Sequence, residues 1–317
     1  MRIVFLGATE LGWDCCNALI EMGQNVVGIM TIPQKFNISY SDKPVENVRF
    51  KNFSIIARQN TIPIIQVDSK MSDLKYRTWL ESLKPDLLIV IGWYYMVPAS
   101  LRKLARLGAI GIHASLLPRL RGGAPLVWAV INGEKETGVT LFHLENGVDD
   151  GDIIGQSSFP ILNEDTIADL VQKSQTASIQ LIRKYIPRMD DGTAPRIKQN
   201  HSSATFVPQR KPEDGLIDWE SKTSEEIYNW IRAQTHPYPG AFSYFNGKKI
   251  TLWSSSLMSG ERLKGIAGQV FIRKNAVCVL CSDGLLLKLK SVSIDNNEVV
   301  EAESISELFR GHQFIGA

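Results

Sequence analysis

The chain has 317 residues, 44% of them hydrophobic and 21% charged, the composition of a soluble globular protein with room for two domains. Its 35 basic and 33 acidic residues balance too evenly for a general polyanion-binding surface, although a local basic patch stays open. The opening MRIVFLGATELG breaks at Gly7, too early for a signal segment or a spanning helix, so a cytoplasmic protein without a membrane partner is expected. Four cysteines do not make a disulfide framework. The lone C-x-x-C at Cys278 and Cys281 has no second pair or nearby histidine to close a zinc site, so buried thiols and no metal are expected.

In chain order, RIVFLG reads as a strand, GWDCCNALIEMG as a helix closed by Gly23, and NVVGIMT as the next strand. FSIIARQNTI and YRTWLESLK read as helices flanking the strand PIIQV. PDLLIVIGW follows as a strand buried on both faces, PASLRKLARLG as a helix, and AIGIH as a short strand. This alternation predicts an α/β fold, a Rossmann-like doubly wound and mainly parallel sheet. GATELG occupies the place of a phosphate loop, but Ala8 and Thr9 fill the close-approach positions and no acid follows NVVGIM. That argues against NAD and leaves open only a phosphate at the helix N-terminus. After a long amphipathic helix, DTIADLVQKSQTASIQLIRKYIPRM, turn formers and prolines accumulate. The predicted division is a first domain over 1–189, a linker over 190–206 and a second domain over 207–317. There SEEIYNWIRAQTH reads as a helix, and five short strand-like runs with an Asn246-Gly247 hairpin turn suggest a small barrel.

His113 ends AIGIH, at the strand end where ligands bind in such sheets; a ring satisfied by nearby backbone is the competing reading. LENGVDDGDIIGQ packs four acids into a turn. One of them could orient a histidine and hold its protonated form, although a solvated turn explains clustered acids as well.

At this point HASLLPRLRGGAPLVWAVINGEKETGVTLFHLENGVDDGDI resembles the signature of the folate-dependent formyltransferases, in the order H-x-S-L-L-P, R-G-x-A-P, N-G-x-x-x-T-G-V and D-x-G-D. PQRKPEDGLIDW, IRAQTHPYPGAF and NGKKITLW are similar to the family's carboxyl-terminal domain, which implies an OB-like β-barrel. The resemblance implies transfer of the formyl group of 10-formyltetrahydrofolate to a primary amine. It places His113 and Asp149, 36 positions apart, as the catalytic pair, with Ser115 and Thr137 as supporting residues. His113 is the expected base for the acceptor amine, and Asp149 is expected to fix its ring and stabilise the imidazolium. The donor pocket is implied at Tyr95, Met96 and Val97 and at Glu145, Asn146, Gly147, Val148 and Asp149. Three consecutive large side chains at a strand end suit a flat ring, although packing on the sheet would also account for them.

The chain departs from the family at Gly111, where an Asn two residues before the His helps hold the oxyanion. The explanation preferred here is that protonated His113 and a water in the freed space act as donors. Another side chain reaching in, or a weak or silent folate- or nucleotide-sugar-binding paralogue, are the alternatives, and a hydrolase passing the formyl group to water is a further one. For the acceptor, TIPQKFNISYSDKPVENVRFKNF lacks the glycines and clustered lysines of a tRNA-gripping loop. The expectation is therefore a nucleotide-linked amino sugar, closer to the sugar N-formyltransferase branch, with methionyl-tRNA formyltransferase as runner-up. Gly123 replaces an Arg found in the branch that formylates a 4-amino-arabinose nucleotide, which counts against that sugar. A homodimer is the expected assembly.

Overall fold

The computed structural model describes residues 1–38, 43–68, 70–295, 297–311 and 313–315. The chain forms two compact units. The first comprises Met1–Gly122, Gly138–Phe159 and Lys173–Phe206, the second Gly123–Thr137, Pro160–Gln172 and Val207–Ala317.

A seven-stranded sheet carries the first unit. Its strands are β1 (Arg2–Leu6), β2 (Asn25–Thr31), β3 (Ile64–Gln66), β4 (Leu87–Val90), β5 (Ala109–His113), β6 (Glu136–His143) and β7 (Ile153–Pro160), in the spatial order β7-β6-β5-β4-β1-β2-β3. The first five run parallel, and β6 returns antiparallel to β5. The chain winds outward through β2 and β3, then crosses back to β4 and β5 on the other side of β1. The carboxyl ends of β1 and β4 thus flank the point where the winding reverses, which is where open α/β sheets bind ligands. Leu87, Leu88 and Ile89 have no solvent exposure, as a strand covered on both faces requires.

Helix α1 (Glu10–Glu21) is capped by Thr9, whose hydroxyl accepts from the Gly12 N–H, and ends before Gly23 at φ 70°. Helices α2 (Ser54–Gln59) and α3 (Leu74–Leu83) follow the apolar spacing. The run PASLRKLARLG departs from expectation: only Ala99–Arg102 is α-helical. Beyond it the N–H groups of Leu104, Ala105 and Gly108 reach back three residues rather than four, while the Arg102 side chain turns inward to bond backbone carbonyls. The segment read as a linker belongs to the first unit as far as Phe206.

In the second unit an antiparallel sheet surrounds one core. Its strands β8 (Ala241–Phe245), β9 (Lys248–Leu257), β10 (Val270–Arg273), β11 (Ala276–Leu280) and β12 (Leu286–Ile294) lie in the order β8-β9-β12-β11-β10. The two edges are joined by the segment Gln313–Ile315, with Ile315 bridging Tyr244 on β8 and Gln313 bridging Gln269 next to β10. Phe314 between them stacks on Trp219 and packs on Phe245, so the segment that closes the sheet also fills its core. Asn246 and Gly247 both have positive φ, 48° and 76°, as a two-residue turn between right-twisted strands demands.

Candidate active site

Register fixes His113 at the carboxyl end of β5, opposite Thr140 of β6. The ring is buried, 7% exposed, and both its nitrogens have protein partners. Nε2 lies 2.7 Å from the Leu120 carbonyl oxygen, and Nδ1 lies 3.5 Å from Asp149 Oδ2. The two residues named from the sequence therefore meet, and the competing expectation of a backbone partner is also realised, at Nε2. Both partners are oxygens that can only accept. The neutral ring satisfies one of them; the imidazolium satisfies both. Leu120 and Asp149 each hold a left-handed backbone, at φ 54° and 50°, a conformation costly for residues with a Cβ and found at sites where surrounding contacts enforce it.

Asp149 is gripped as well as placed. Its Oδ2 accepts the Gly122 N–H at 2.8 Å, and its own carbonyl accepts the Gln199 amide at 2.8 Å. The glycines of ENGVDDG allow the turn: a Cβ on Gly147 would meet the Asp150 carboxylate at 2.0 Å, and one on Gly151 the His143 carbonyl oxygen at 1.8 Å.

The supporting residues divide. Ser115 bonds the Arg119 carbonyl through its hydroxyl at 2.5 Å and closes the turn after β5. Thr137 is buried at the start of β6, but the hydroxyl that braces this turn is that of Thr140, which donates to the Ser115 carbonyl and accepts from Leu117 N–H and Gln156. A Cβ at Gly111 would stand 3.0 Å from Leu144 Cδ2 and 3.1 Å from the Val90 carbonyl oxygen, so a side chain there requires these neighbours to give by a few tenths of an ångström.

Of the residues implied for the donor, Met96 and Val148 are exposed, whereas Val97 is only 4% exposed and belongs to the core. Tyr95 donates its hydroxyl to Asn37 O. Arg102 ties the two segments together: its guanidinium donates to Val97 O at 3.1 Å, Glu145 O at 2.9 Å and Asn146 Oδ1 at 2.6 Å. Each segment also holds a buried polar atom without a hydrogen-bond partner, Trp93 Nε1 and Asp150 Oδ1.

Other readings can now be sorted. Burial, reinforced by Arg196, pushes His143 down to about 4, so it is neutral near pH 7 and cannot hold a proton there. His201 has a partner that the sequence did not suggest, Arg121 Nη2 at 3.2 Å from Nδ1. His236 stacks on Trp253 at 3.9 Å, in keeping with a rigid turn, and His312 lies outside the described residues. The start of α1 is poorly suited to phosphate, since Glu10 stands there paired to Arg49 at 3.0 Å. At Gly123 a Cβ would come within 2.5 Å of Gln209 Cα, so backbone occupies the position where the family branch carries its Arg. All four cysteines are free and buried. Among the described residues no helix is long and apolar enough to cross a membrane.

Comparison with known proteins identifies the family. A family profile described as formyl transferase matches residues 1–186, and one described as formyl transferase, C-terminal domain, matches residues 210–312. A methionyl-tRNA formyltransferase of Desulforamulus reducens is 32% identical over 318 residues, covering 99% of this chain and 95% of the relative. Among solved structures, an N-formyltransferase from Helicobacter canadensis, in complex with folinic acid and dTDP-3-aminofucose, superimposes with a TM-score of 0.66 at 21% identity. The match covers 91% of this chain and 98% of that one. HypX from Aquifex aeolicus, in complex with tetrahydrofolic acid, matches with a TM-score of 0.65 at 19% identity over 98% of this chain, which spans 48% of HypX. The chain belongs to the formyl transferase family, whose members are enzymes that move a formyl group from formyltetrahydrofolate.

Proposed function

We propose that the protein transfers the formyl group of 10-formyltetrahydrofolate to a primary amine, with His113 and Asp149 as the catalytic pair. The observation that carries this reading is the meeting of His113 Nδ1 with Asp149 Oδ2 at a strand end beside two loops suited to a flat donor. The amine attacks the formyl carbon and, as the bond from that carbon to the folate nitrogen breaks, the proton that the amine gives up is returned by way of His113 to that nitrogen. With Nε2–H donated to Leu120 O, Nδ1 keeps the lone pair that takes this proton, and Asp149 stabilises the resulting imidazolium. The donor rests against the loops around Met96 and Val148, where Trp93 Nε1 and Asp150 Oδ1 await partners.

For the acceptor we favour the amino group of a nucleotide-linked sugar. In the segment after β2, Lys35 pairs with Glu46 and Arg49 with Glu10, which leaves these cations already engaged rather than turned to a phosphate backbone. A second reading, initiator aminoacyl-tRNA, is favoured by the full-length relative of that activity at 32% identity. Tetrahydrofolate release measured with amino-sugar nucleotides, with charged initiator tRNA and with buffer alone separates them. Turnover on tRNA alone overturns the sugar assignment, release in buffer alone marks a hydrolase, and no release on any arm overturns the formyl-transfer reading.

Gly111→Asn tests whether the site is complete as it stands. The new side chain must push Leu144 or β4 aside, so we expect a loss of about 1–3 kcal/mol in stability and a lower kcat. A large gain in kcat would instead identify the natural enzyme as crippled at this position.

A further inference from the structure

The stretch read as a linker contains a buried amide with no role in the chemistry described so far. Gln199 is 5% exposed and Arg121 3% exposed, and the two meet: Gln199 Oε1 accepts from Arg121 Nε at 3.2 Å and from Nη2 at 2.6 Å. On its other side Gln199 Nε2 donates to the Asp149 carbonyl at 2.8 Å and to the Gly151 carbonyl at 2.7 Å. The amide's two protons and its oxygen are all used, and its orientation is forced. Turned over, it would set N–H groups against a guanidinium that can only donate, and its oxygen against two carbonyls that can only accept.

We propose that Gln199, oriented by Arg121, is the positioning residue that sets Asp149 against His113; this rests on the formyl-transfer reading above. The dipeptide Arg121–Gly122 then reaches Asp149 at both ends, the Gly122 N–H holding the carboxylate and the Arg121 side chain holding the backbone through Gln199. Such a clamp answers a specific need, because Asp149 sits at φ 50° and tends to relax out of that conformation. Scaffolding alone explains the arrangement poorly. The Arg121 guanidinium is buried with Gln199, His201 Nδ1 and the Phe206 ring at 5.7 Å, no carboxylate among the described residues pairs with it, and a buried cation so held is a costly way to tie a loop.

The decisive variant is Gln199→Glu, which keeps the size and strengthens the contact to Arg121 but cannot donate to the two carbonyls. In the full-length protein we expect a lower thermal midpoint, because the Asp149 and Gly151 carbonyls lose their donor, and, in the protein still folded at the assay temperature, a kcat lower by about 100-fold with an unchanged KM for the folate donor. Acting through Asp149, the change should add nothing to Asp149→Asn: the double variant should match Asp149→Asn alone. A Gln199→Glu enzyme with wild-type kcat, or a double variant in which the two losses multiply, overturns the proposal while leaving formyl transfer intact. A wild-type protein that transfers nothing overturns the reading beneath it and this inference with it.

Discussion

Replacing His113 by Ala should lower kcat by about 100- to 10,000-fold, the range over which a positioned acid–base group contributes, while the protein still folds. The ring is buried but its bonds go to one backbone carbonyl and one carboxylate, and Asp149 keeps its second contact to the Gly122 N–H when the ring is gone. No other described histidine can substitute: His143 is held down at about 4, His201 bonds Arg121, and His236 is stacked in the second unit. Asp149→Asn should lose activity on a similar scale, because an amide oxygen can still accept from Gly122 but cannot balance an imidazolium. The check is single-turnover formyl transfer on the best acceptor, beside a melting curve. Activity of His113→Ala within tenfold of wild type would remove the base from the mechanism.

The second large effect is expected at Gly151. A methyl group there would stand 1.8 Å from the His143 carbonyl oxygen and 2.8 Å from its carbon, and neither atom can step aside cheaply. His143 is the last residue of β6, and its N–H is bound to the Asp152 carbonyl at 2.9 Å, directly beside the intruding group. Gly151→Ala should therefore cost about 3 kcal/mol or more and lower the melting midpoint by several degrees. It should also reduce kcat in the protein that remains folded, since Asp149 lies two residues away and shares the Gln199 clamp. Gly147→Ala makes the useful contrast. The atoms it meets belong to the Asp150 side chain, which can rotate away, so its penalty should be clearly smaller. Equal melting losses for the two variants would show that close backbone approach is not what Gly151 provides.

How far the sequence went depended on which kind of signal each residue carried. Strands such as RIVFL and LLIV announce themselves by apolar runs between turns, and Asn246-Gly247 by the positive φ it allows. His113 and Asp149 could be paired only through resemblance, because 36 residues of chain separate them and no local pattern measures the gap that folding closes. The register that sets Thr140 opposite His113 is a tertiary fact, which no local pattern in the sequence carries. The close approach of Leu144 to Gly111 is likewise a tertiary fact that no local pattern records. Gln199 sits among turn formers and prolines, so its burial had no periodic signature. What marked it in the folded chain was a fully satisfied amide where a solvated loop had been expected.

Arg102 has a mechanical meaning for the donor-side loops. With one guanidinium bonded to Val97 on one and to Glu145 and Asn146 on the other, the two segments cannot shift independently without breaking these bonds, of which the one to the buried Val97 carbonyl is worth about 1–3 kcal/mol. They behave as a single jaw. Whatever displaces the rim at Met96 is thereby felt at Val148 and, one residue further, at the carboxylate that faces His113.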